Sequence, residues 1–126
     1  MLFRSASEMD PGSADIWANL GNAYLDLHDL QNARSALERA LALDPKSPAL
    51  RNSLGTLFAD LGSLKLAEEH LLEATRLKPD FEDAYFNLGL LYAHTGDRGK
   101  AAEMLNQCLR LNPRNEAARN LLGQVR

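Results

Sequence analysis

A chain of 126 residues has room for one domain, and a hydrophobic content of 45% supplies a core that a disordered tail lacks. The formal net charge of −3 and a pI near 5.6 argue against a general binder of nucleic acid or anionic membrane, which needs a basic surface. A single cysteine, Cys108, excludes an intramolecular disulfide framework or a cysteine-cluster metal site, and no apolar run approaches the ~20 residues that cross a bilayer.

The opening MLFRSASEMD lacks the long apolar stretch of a secretory signal. Ser13 then caps a predicted helix in which Trp17, Leu20, Tyr24 and Leu27 share one apolar face. Gly21 sits in its middle, where glycine costs about 1 kcal/mol relative to alanine. After LHDL, Asp29 opens a second helix carrying Ala33, Leu37, Ala40 and Leu41, which ends where Pro45 forces Asp44 out of helical geometry. The pattern then restarts. Ser47 opens a helix with Leu54, Gly55 and Phe58, and Ser63 one with Ala67, Leu71 and Ala74 before Pro79. A third pair holds Tyr85, Leu88, Gly89 and Tyr92, then Asp97, Ala101, Leu105 and Cys108 before Pro113. Asn115 caps a last helix with Leu122 and Gly123.

The glycines at 21, 55, 89 and 123 recur every 34 residues, and the leucine before each recurs with it. Four of the five prolines keep the same period. A period shared by so many positions makes each unit a helix pair whose glycine and alanines are small because two helices approach closely there. Gly62 and Gly96 suit the tight turn inside a unit; His28 replaces them in the first and is expected to strain it.

WANLGNAY and YFNLGLLY resemble the signature of the tetratricopeptide repeat, a 34-residue helix–turn–helix unit; RNSLGTLF departs at Arg51. The resemblance implies an all-α, right-handed α-solenoid. Its units would run over 14–47, 48–81 and 82–115, with 116–126 as a capping helix and 1–13 as the second helix of a partial preceding repeat. The chain then reads as a segment of a longer array. Phe3 and Ala6 would pack on a first helix that the sequence does not contain, which predicts weak self-association through Phe3.

No motif supports an enzyme, a cofactor or a metal. His28, His70 and His94 fall in different units, and DFED lacks the spacing of a calcium loop. Cys108 takes the place of Ala40 and Ala74, a tight contact that makes it a buried, inert thiol.

A polar stripe remains, turned away from the apolar face of the first helices. It holds Asp15, Asn19, Asn22 and Asp26, then Ser53, Thr56 and Asp60, then Asp83, Asn87, Leu90 and His94, flanked by Asn52 and Phe86. The resemblance places it in the concave groove of a solenoid that binds an extended peptide. Its four acids face no lysine or arginine, so a neutral-to-basic protein partner is expected, and no nucleic acid or membrane. Asn19 and Asn87 offer amides that can pair with a peptide backbone, as in the asparagine ladder of the repeat region of the O-linked N-acetylglucosamine transferase; Ser53 interrupts it. The two-carboxylate clamp of chaperone cofactors would need basic residues at Ala18, Asp83 and Asn87 and is rejected. Two other readings stay open: a structural spacer or self-assembly module with an idle groove, and the repeat region of a larger enzyme.

Overall fold

The computed structural model describes residues 13–126, and the expectations resting on Phe3 and on the partial repeat before Ser13 lie outside them. Among the described residues there are seven helices and no strand: α1 (Ala14–Asp26), α2 (Leu30–Leu43), α3 (Pro48–Asp60), α4 (Leu64–Leu77), α5 (Glu82–Thr95), α6 (Arg98–Leu111) and α7 (Glu116–Val125). They pair as α1/α2, α3/α4 and α5/α6, and α7 packs on α6. Each hairpin stacks on the next, so the core is a continuous spine and the fold an α-solenoid.

Local chemistry sets the boundaries. Ser13, Ser47 and Asn115 accept the N–H three residues on, at 3.4, 3.2 and 3.0 Å. Asp97 does the same for Lys100 at 3.1 Å. Asp29 and Ser63 do not cap with their side chains. Asp29 instead accepts a hydrogen bond from Asn32 Nδ2 at 2.7 Å. At the other ends, Asp44, Lys78 and Asn112 adopt φ near −140°, the extended backbone that a following proline requires.

Inside each hairpin the first helix closes with the same backbone bond. The N–H groups of Asp29, Ser63 and Asp97 reach the carbonyls of Tyr24, Phe58 and Tyr92 at 2.8–2.9 Å. This closure puts one residue in the left-handed region: His28 at φ 60°, Gly62 at 83° and Gly96 at 88°. The glycines adopt it freely, whereas a side chain there costs about 1–2 kcal/mol, so the first turn is the strained one.

The close approach that explains the mid-helix glycines is also visible. A Cβ on Gly21, Gly55 or Gly89 would lie 2.5–2.8 Å from the side chain of Leu37, Leu71 or Leu105 in its own hairpin. Those leucines are fully buried, as are the alanines beside them, so they have little room to withdraw. Between hairpins, a side chain on one second helix reaches the aromatic on the next first helix. The Arg34 guanidinium lies 5.3 Å over the Phe58 ring, and one period later Glu68 accepts the Tyr92 hydroxyl at 2.7 Å. That contact and burial push the Tyr92 hydroxyl far above its ordinary pKa of 10, and burial dominates.

Candidate functional site

Stacking the hairpins brings α1, α3 and α5 side by side, and their polar stripe divides into two clefts at different heights. The first, about 210 Å³, lies between α1 and α3 and gathers Asp15, Asn19, Asn22 and Ser53 above Ala18, Ala49 and Leu50. The second, about 330 Å³, lies between α3 and α5 and gathers Thr56, Asp60, Asn87, Leu90 and His94. Asp26, Asn52, Asp83 and Phe86 line neither cleft. Asp26 and Asp83 are exposed nearby, and Phe86 is half-buried against the core.

Two hydrogen bonds fix the spacing of these helices. Ser53 Oγ donates to Asn22 Oδ1 at 2.9 Å, joining α1 to α3, and Asn87 Nδ2 donates to Asn52 Oδ1 at 3.0 Å, joining α3 to α5. The residue that interrupts the asparagine ladder thus bridges helices instead. Asn87 gives one N–H to the scaffold and keeps its carbonyl oxygen and a second N–H. Asn19 is exposed on the first cleft.

The second cleft contains residues that the stripe did not include. Gly55, Ala59, Leu64, Leu71 and Leu91 make its floor and walls apolar. Ala59 stands one period after Leu25 and one before Ala93, so this register is small in two of the three hairpins.

Away from the groove, the hairpins differ at one register. Tyr85 and Arg119 each donate to the carbonyl of the periodic proline before them, Pro79 at 2.9 Å and Pro113 at 2.7 Å. Arg51, at the same register, turns instead to His70 Nδ1 at 3.2 Å, and its Nε is buried without a partner. The His70 ring stacks on Phe58 with centroids 5.4 Å apart. Burial and the Arg51 charge lower the imidazole below its ordinary pKa, while Glu69 and Glu38 act against them.

Cys108 is fully buried and accepts a hydrogen bond from Asn115 Nδ2 at 3.3 Å. Burial, aided by Glu82, pushes its thiol up to about 11, so the nucleophilic thiolate is scarce at neutral pH. Among the described residues no group of three His, Cys, Asp or Glu could hold a metal ion, and no helix is long and apolar enough to cross a membrane.

A family model described as tetratricopeptide repeat matches residues 2–48 and 18–80, and another of the same description matches 82–115. No curated protein gives a significant match. Among solved structures the chain is similar to MamA, at 26% identity and a TM-score of 0.87, over 94% of this chain and 70% of that one. It is similar to PilF of Pseudomonas aeruginosa, at 26% identity and a TM-score of 0.87, over 94% of this chain and 55% of that one. It is also similar to YrrB, described as a TPR protein with an unusual peptide-binding site, at 29% identity and a TM-score of 0.80. That match covers 86% of this chain and 56% of YrrB.

Proposed function

The chain belongs to the tetratricopeptide repeat family of protein-interaction scaffolds, and we propose that its binding face is the groove formed by α1, α3 and α5, which receives an extended segment of another protein. We divide it into repeats at 14–47, 48–81 and 82–115 with a cap at 116–126. The observation that carries the reading is the pair of clefts along one face, walled by unspent polar groups on helices whose spacing hydrogen bonds already fix. A preformed groove binds without first losing the entropy of ordering its own walls. The peptide-binding site named for YrrB supports the same use of the fold.

The occupant is neutral to basic. Asp15, Asp26, Asp60 and Asp83 stand along this face without lysine or arginine, so cations are attracted and acidic segments repelled. Asn19 and Asn87 are the amides placed to meet a peptide backbone. Peptide arrays on the intact chain test the reading. Basic and neutral peptides should bind best and weaken as salt rises. Asn19→Ala or Asn87→Ala should each cost about 1 kcal/mol of binding at unchanged thermal stability. A preference for acidic peptides, or groove variants that bind as well as changes on the opposite face, would defeat it and leave the spacer reading.

A further inference from the structure

The cleft between α3 and α5 is more apolar than a stripe of Asp, Asn and Thr would make it. Gly55 and Leu71, both buried, form its floor, and Leu91 and Leu64 complete the apolar surface. Ala59 keeps it open. One period earlier the same register holds Leu25, which is half-buried and packed against the core. Leu90 stands where Thr56 does one period earlier and presents 44% of its surface at the rim. Leu90 is thus a departure toward a more apolar residue, and it falls on the cleft that Ala59, like Ala93 at the same register one period later, leaves open.

At about 330 Å³ the space sits at the lower end of the range of roughly 300–1,000 Å³ for small-ligand pockets. It suits one side chain and is too small for a docked helix. Its mouth carries Asp60, which is exposed and forms no ion pair among the described residues. The geometry points to an anchor site for an extended peptide that inserts a leucine- or methionine-sized side chain between α3 and α5 and places a lysine or arginine against Asp60. Because alternate side chains of an extended chain point to the same face, the cation belongs about two residues from the anchor. This inference rests on the groove reading and adds to it the identity of the recognised side chains.

The test uses the full chain and a library of short acetylated, amidated peptides randomised at every position. Enrichment should yield an aliphatic residue or methionine with Lys or Arg at that spacing. Replacing the enriched aliphatic residue by alanine should weaken binding about tenfold, the ratio that about 1.4 kcal/mol represents. Ala59→Leu fills the cleft with a residue the fold already accommodates at this register. It should lose the same factor and become indifferent to the anchor, while keeping weak binding through the rest of the groove. Leu90→Thr, which copies Thr56 at an exposed site, gives a second reading should Ala59→Leu lower the melting temperature. Enrichment without an aliphatic position, with an aromatic anchor, or with Asp or Glu beside the anchor overturns the anchor site alone. A normally folded Ala59→Leu that still discriminates the anchor does the same. A library that enriches nothing overturns the groove reading together with it.

Discussion

Gly55 and Gly123 are the same residue at the same register, one in the middle hairpin and one in the last helix. At Gly55 a Cβ would lie 2.5 Å from Leu71 and 3.4 Å from the Ala67 carbonyl oxygen; at Gly123 it would meet nothing within 4 Å. The glycine is therefore a property of a helix pair rather than of the helix that contains it. Where a second helix lies across it, the missing side chain is what lets the pair close. Where none lies across it, only the penalty of glycine within a helix remains.

The largest effect expected from this contrast is in the core. Leu54→Ala should lower unfolding free energy by about 2–5 kcal/mol, because Leu54 is enclosed by hairpins on both sides. Leu122→Ala, at the matching register of α7, should cost less, because fewer helices surround it. Denaturant titration of both variants checks the difference, and equal losses would erase it.

Next comes the glycine itself. Gly55→Ala should destabilise by roughly 1–3 kcal/mol through overpacking on Leu71, and Gly55→Leu by more. A Gly55→Ala chain that melts no lower than its parent would mean that Leu71 yields freely. Gly123→Ala should move the other way, raising stability by up to about 1 kcal/mol, since the helix gains propensity and nothing clashes.

The smallest effect is a pH dependence confined to the middle hairpin. Burial and Arg51 hold His70 below its ordinary 6.5, so the unfolded chain binds a proton before the folded chain does. The contribution is complete above pH 6.5 and is lost as pH falls through the folded value. Melting temperature followed between about pH 8 and pH 5 should show this decline. His70→Met, which copies Met104 one period later, should flatten it.

The fold was legible because a solenoid writes itself repeatedly. Glycine, leucine, alanine and proline at fixed intervals specify helix pairs, close contacts and stops, and even the left-handed turn at His28 follows from the glycines at its register. The candidate site was legible only as a face. Which stripe residues share a cleft depends on the tilt and offset between helices, which no spacing within one helix encodes. The Asn52–Asn87 and Ser53–Asn22 bonds connect residues about one period apart, and their partners are set by packing. Arg51 was visible as a departure from the pattern, but nothing along the chain indicates that it faces His70. The apolar cleft depended on Ala59 and Leu90 meeting across α3 and α5, which their registers alone do not show.

Trp17, the chain's one tryptophan, lies in the first hairpin with the Arg39 guanidinium 4.9 Å over its ring. Its fluorescence is therefore a local reporter, whereas far-ultraviolet circular dichroism averages over every helix. In an array whose units touch only their neighbours, the two signals need not change together. If the strained turn at His28 makes the first hairpin the weakest unit, emission should change at lower denaturant than ellipticity. The gap between the two midpoints would then measure how tightly one repeat is coupled to the next.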